Sequence, residues 1–287
     1  MNEEFVSQEY EVAQAGAGVK DSTARERIIG ILGSFFFSFT IVISIAAVSF
    51  SIIFFLSEVD GSSMMKTINA SYSNENKVHD SVLVNRHATP QRGDIIVVRH
   101  YITKGEEEYY IKRLIGIGGD KIRFIRTKEH DYPYNAPGSY LKTYPDKYVY
   151  KLVVNDKEVD EWYLDPFWGV MAFYGDNIYN YIQDPTNITS HPTNVWFRPF
   201  TEYVVTPAIG DPFILVPKGQ VFYMGDNRGS YDMDYFGYHS HDCTAFGPQD
   251  ASYIEGVVAD IIKNKESVTS YVFKKLWEFI SLKWIFG

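Results

Sequence analysis

From Ile28 to Leu56 the chain runs for 29 residues without a charged side chain. At about 1.5 Å per residue such a run would reach roughly 43 Å as a helix, enough to cross a bilayer with some tilt. A buried helix of a soluble protein rarely goes so far without a charge. A cleaved signal peptide is the closer rival. Against it stand the overlong apolar core, the acidic N-terminal tail (Glu3, Glu4, Glu9, Glu11) and the absence of a small-x-small site before Glu58. Lys20, Arg25 and Arg27 precede the run, whereas Glu58 and Asp60 follow it. The positive-inside bias therefore predicts a cytoplasmic tail over residues 1–27, a transmembrane helix over 28–57, and a body beyond it on the outer side of the membrane.

That body reads as mainly β. Val82–Val84, Ile95–Val98, Tyr109–Ile115, Lys121–Ile125, Tyr148–Val154, Phe213–Val216 and Gln220–Met224 are rich in β-branched or aromatic residues and bounded by Gly, Pro, Asn or Asp. The segments 130–146 and 165–211 are dense in Tyr, Pro, Asn and Asp and read as long insertions within a β-rich domain over 58–268. The 22 Tyr and 20 Phe suit strands and a position near a membrane–water boundary. A net charge of −9 leaves no basic stripe to displace phosphate counterions, which argues against a nucleic-acid partner. The single Cys243 excludes an intramolecular disulfide. Over 269–287, Val272, Phe273, Leu276, Phe279 and Ile280 recur at helical spacing among Trp277, Trp284, Lys274, Lys275 and Lys283. Both an interfacial amphipathic helix and a terminal helix packed on the body fit that pattern.

Four short segments carry chemistry: Ser62-Ser63-Met64-Met65-Lys66-Thr67, Gly93-Asp94-Ile95-Ile96-Val97, Tyr110-Ile111-Lys112-Arg113-Leu114-Ile115-Gly116 and Met224-Gly225-Asp226-Asn227-Arg228. A serine hydroxyl is a weak nucleophile until a base takes its proton, and a lysine serves as that base only when burial or nearby cations keep its amine neutral. Lys112 stands in an apolar, strand-like run, and strand alternation turns Arg113 to the opposite face.

In this order behind an apolar anchor, the four segments resemble the boxes of bacterial type I signal peptidases, over about Val59–Val258. The resemblance implies a membrane-anchored signal-peptidase-like β fold and a serine endopeptidase that frees exported preproteins from their signal peptides after small residues in an Ala-x-Ala pattern. Ser63 would be the nucleophile and Lys112 the general base, with the Ser63 backbone N–H at the oxyanion. Where some relatives carry a second hydroxyl donor this chain has Gly61, leaving a backbone group or Ser62 to serve. Asp226, Asn227 and Arg228 fall in the family's most recognisable signature. The implied partners are preprotein signal peptides and the lipid bilayer of the cytoplasmic membrane, the expected state is a monomer, and no cofactor or metal is called for.

The departures are informative. Lys66 and Gly118 stand where the family has prolines, which loosens the backbone near the catalytic positions. After Arg228, two similar strings follow ten residues apart, Ser230-Tyr231-Asp232 and Ser240-His241-Asp242. The first lies nearer Arg228; the second keeps the family's spacing to Ile254 and Gly256, which favours Ser240 and Asp242 as the lysine-supporting pair. His239, His241 and Cys243 alternate, yet no second cluster accompanies them to complete a metal site. Two other readings use the same features: a repressor-like self-cleaving serine–lysine protease, and a catalytically silent membrane protein that binds through this fold.

Overall fold

A computed structural model of the chain describes residues 23–61, 63–64, 67–69, 79–103, 106–126, 150–164, 182–184, 200–227, 242–263 and 268–281. The chain forms two compact units, Met1–Phe50 with Leu276–Gly287, and Ser51–Lys275.

Helix α1 (Ala24–Ile53) takes up most of the uncharged run. Thr23 and Glu26 close its first turn reciprocally. Glu26 N donates to Thr23 Oγ1 at 3.4 Å and Thr23 N to Glu26 Oε2 at 2.9 Å, a capping box that satisfies two otherwise orphaned donors. None of its residues is buried. Its length and composition suit it to cross a membrane.

The helix stops at Ile53 and the chain passes without a linker into strand β1 (Phe54–Glu58). The expected helix extended to residue 57. A strand wins over the last residues because Phe54–Glu58 lies antiparallel to β2 (Ser81–Asn85), with Leu56 opposite Leu83. That pairing buries Phe54, and Arg86 N caps the junction by donating to Ile53 O at 2.9 Å.

The body is built from two antiparallel sheets, as the β-rich sequence implies. Among the described residues the larger has seven strands in the order β1-β2-β12-β3-β4-β10-β11, using β3 (Ile95–Thr103), β4 (Glu106–Ile117), β10 (Gln220–Met224), β11 (Gln249–Asp250) and β12 (Ile254–Ile262). The smaller orders β7-β6-β5-β9-β8, from β5 (Lys121–Arg126), β6 (Tyr150–Val154), β7 (Lys157–Glu158), β8 (Val204–Val205) and β9 (Phe213–Leu215). Two short strands, β7 and β8, together with β11, carry too few residues to show alternation. In the nine-residue β12, Gly256 and Asp260 interrupt it. Most of the two long insertions lies outside the described residues; β8 and a 3-10 turn at Thr201–Tyr203 belong to the second.

The main core brings Ile96, Leu114 and Phe222 of the larger sheet against Ile122, Leu152 and Ile214 of the smaller. A second core sets Val82, Val84, Val97 and Ile111 against Val59, Met64 and Ile68. This second core fixes the segment that carries Ser63. Among the described residues two further helices are the short α2 (Cys243–Phe246) and α3 (Val268–Ile280), the latter divided between the two units after Lys275.

Candidate active site

Ser63 follows β1 on a turn pinned at both ends. Met64 and Ile68 sink into the second core, and Ile68 N donates to Met64 O at 2.8 Å. Asn69 and Asp80, both buried, grip each other's backbone: Asn69 N donates to Asp80 Oδ2 and Asp80 N to Asn69 Oδ1, each at 2.7 Å. Asn69 Nδ2 also donates to Val59 O at 2.8 Å and Gly61 O at 3.0 Å. Lys263 at the end of β12 donates to Thr67 O at 2.7 Å. These bonds hold the turn although Lys66, which replaces the family's proline, lies outside the described residues. Ser63 stays exposed beside the buried Met64.

Lys112 lies in β4 opposite Ile96 and is only 3% exposed. Its Nζ donates to Ser63 Oγ at 2.6 Å. Burial pulls the Lys112 amine down from the ordinary lysine value to about 8, against the opposing pull of the Asp242 and Asp226 carboxylates. β10 covers β4 only as far as the Met224–Arg113 pair, so Lys112 is the first residue of β4 beyond that cover. A cleft opens there, with Val59, Gly61, Ser63, Val97, Ile111 and Lys112 among its walls.

Arg113 is turned to Asp226 instead. Its Nε and Nη2 donate to the two carboxylate oxygens at 2.8 and 2.6 Å, and Nη1 donates to Gly93 O at 2.6 Å. Thr67 Oγ1 adds a donor to Asp226 Oδ2 at 2.6 Å, and the Tyr163 ring centroid stands 3.7 Å from the guanidinium carbon. The stretch Gly225–Asn227 thus latches the serine turn to the lysine strand. Asn227 N donates to Ser63 O at 3.0 Å, and Asp226 N points to Met64 Sδ at 3.4 Å. Gly225 is required by contact: a Cβ there would lie 2.4 Å from Ser63 O. Gly118 has a similar cause, since a Cβ would meet Lys218 Cα at 2.9 Å. Its replacement of proline therefore goes with close packing of that turn on residues 217–219.

Asp242 is buried and caps α2, accepting from Thr244 N at 3.0 Å and Thr244 Oγ1 at 2.6 Å. Its other oxygen accepts from Gly225 N at 3.1 Å, which brings it to the latch. Ser62, Arg228, Ser230, Asp232 and Ser240 lie outside the described residues, as do His239 and His241. Cys243 is buried, its Sγ accepting from Tyr223 N at 3.2 Å, and burial pushes its thiol pKa well up.

Sequence reasoning missed Thr67, Asn69, Asp80 and Tyr163. The serine box contains Thr67, so its signal was available. Asn69 adopts φ 58°, a conformation asparagine tolerates, but an isolated Asn announces no such role. Nothing local links Tyr163 to Arg113.

Comparison with known proteins identifies a family. The model of the family described as "Signal peptidase, peptidase S26" matches residues 32–258. Signal peptidase I of Rickettsia prowazekii (strain Madrid E) is 28% identical over 142 residues, covering 48% of this chain and 42% of that protein. Signal peptidase I of Rickettsia typhi (strain ATCC VR-144 / Wilmington) is 28% identical over 148 residues with the same two coverages. The chain thus spans less than half the length of these curated relatives. Since the family model covers most of the chain, from within α1 to within β12, the chain belongs to the signal peptidase family, peptidase S26.

Proposed function

We propose that this chain is a membrane-bound serine endopeptidase that removes signal peptides from exported preproteins after small residues of the Ala-x-Ala type. The observation that carries the reading is the 2.6 Å contact between the exposed Ser63 hydroxyl and the buried Lys112 amine. A neutral Lys112 takes the Ser63 proton as Oγ adds to the scissile carbonyl. The Ser63 backbone N–H stabilises the oxyanion, with Ser62 or a backbone group near Gly61 as the second donor. The Lys112 ammonium then protonates the departing amine, leaving an acyl ester on Ser63. Lys112 next takes a proton from water, the resulting hydroxide attacks the ester, and the proton returns to Ser63 Oγ as the signal peptide leaves with a free carboxylate.

Val59, Val97 and Ile111 beside Ser63 support a preference for small apolar side chains, in a cleft that Glu58 and Asp60 also line. Asp242, at Gly225 and close enough for its charge to act on Lys112, supports the second of the two duplicated strings as the one that serves the lysine. Asp226, Asn227 and Thr67 position the nucleophile. The run of basic residues before α1 supports a cytoplasmic tail and a catalytic body outside.

Purified full chain, incubated with a preprotein, is expected to release the mature protein at one site, and Ser63→Ala to release none. Cleavage undiminished in Ser63→Ala would overturn the assignment. For topology, protease added outside sealed cells is expected to digest the body and spare the N-terminal tail; the reverse pattern would invert the orientation.

A further inference from the structure

Helix α3 turns two of its polar side chains inward and leaves two large rings outward. Tyr271 Oη donates to Asp260 Oδ2 at 2.6 Å, and Lys275 Nζ stands 3.2 Å from the same oxygen, whereas Thr269, Ser270 and Lys274 are exposed. Residues four apart share a helix face, so this single carboxylate on β12 pins the first half of the helix through one stripe. The opposite side presents two aromatic rings among exposed polar side chains. Phe273 and Trp277, also four apart, are 68% and 62% exposed, with exposed Lys274 beside them. An aqueous surface would not select two such rings at adjacent turns.

Asp260 also lies near the place where the apolar span ends. β12 and β1 both pair with β2, and Asp260 is opposite Leu83, which is opposite Leu56. Asp260 is therefore level with the third residue of β1, which begins immediately after α1. At about 3.4 Å per residue and about 4.8 Å between strands, its backbone lies roughly 7 Å along and 10 Å across from the start of β1. Local charge points the same way. Residues 268–287 hold three lysines and one glutamate in a chain whose net charge is −9.

We propose that the Phe273–Trp277 face of α3 lies in the interface of an anionic lipid bilayer, with both rings at the acyl boundary and Lys274 among the headgroup phosphates. The proposal rests on the reading of α1 as a membrane span. Aromatic side chains with a polar flank favour that depth, and lysine places its ammonium in the headgroup layer. The bilayer then holds the body at a second point as well as at the α1–β1 junction.

The test uses the full chain in vesicles containing phosphatidylglycerol, with an environment-sensitive dye on Phe273→Cys and, as control, on Ser252→Cys, an exposed site before β12. Cys243 is buried and needs no replacement. Iodide quenching at position 273 is expected to be roughly threefold weaker than at 252, and nitroxide-labelled lipid to quench only at 273. Equal iodide access at both sites, in chain that resists alkaline extraction, would overturn this proposal and leave the span reading standing. Chain stripped from the vesicles by the alkaline wash would overturn the span reading and the proposal with it. Shielding at 273 that rises with the protein-to-lipid ratio would show a second copy covering the face, which also overturns it.

Discussion

Two cations side by side on β4 end in opposite circumstances. Arg113 is held by both oxygens of Asp226, by Gly93 O and by the Tyr163 ring. Lys112, buried to a similar degree, meets the Ser63 hydroxyl where its neighbour meets a carboxylate. A buried cation with a bidentate carboxylate keeps its charge and fixes geometry. A buried amine bonded to a hydroxyl is pushed toward neutrality. One strand thereby carries both a rigid tie and an amine held near its titration point, with Asp226 bonded to the arginine while its charge still acts on the lysine.

The comparison breaks most sharply at the base. Lys112→Ala is expected to lower kcat/KM for a preprotein on the order of 10²–10⁴-fold, with the fold retained by circular dichroism. The double variant with Ser63→Ala should be little worse than either single one, because the two act as a unit. Near-normal turnover in Lys112→Ala would remove the lysine from the mechanism.

The tie should fail through stability. Asp226→Ala leaves the Arg113 charge buried without its partner, a loss of about 3–5 kcal/mol, read in denaturant unfolding. A change under 1 kcal/mol would mean that water or another acceptor replaces the carboxylate. Removing both members together, as Arg113→Met with Asp226→Leu, should restore much of that stability without restoring turnover, since Thr67 would still lack its acceptor.

A finer test uses pH. With the Lys112 amine at about 8, kcat/KM should rise as pH climbs through that value and level off above it, because only the neutral amine accepts the serine proton. The Asp242 carboxylate favours the ammonium form. Asp242→Asn should move the rising limb to lower pH while keeping the α2 cap, which Asn also provides. A limb displaced upward would contradict the assignment. The smallest effect is expected at the ring: Tyr163→Leu should cost about 0.5–2 kcal/mol, measured by thermal unfolding, with the pH profile unmoved.

Much of this was legible in the sequence because the deciding signals are local. Charge-free length marked α1, β-branched and aromatic runs marked seven strands, and short boxes marked Ser63 and Lys112. What escaped depends on partners distant in the chain. Phe54–Leu56 reads as continuing helix until β2 is there to pair with it. Tyr163 acquires its role only when Arg113, fifty residues earlier, is brought against its ring. Spacing favours Ser240 and Asp242 as the supporting string; the bond from Gly225 N to the Asp242 carboxylate is a contact that spacing does not report.

The latch at Gly225–Asn227 also sets an order in time. Thr67 and Asp226 are 159 residues apart, and Ser63 and Lys112 are 49 apart. Contacts so distant in sequence carry the full loop-closure cost and form only once intervening strands have paired. Before β10 docks on β4, the serine turn has no grip from Asn227 and the lysine has no enclosed setting to drive off its proton. On the proposed reading, a chain still emerging from the ribosome carries both residues but not yet the dyad, which waits on the closing of the sheet.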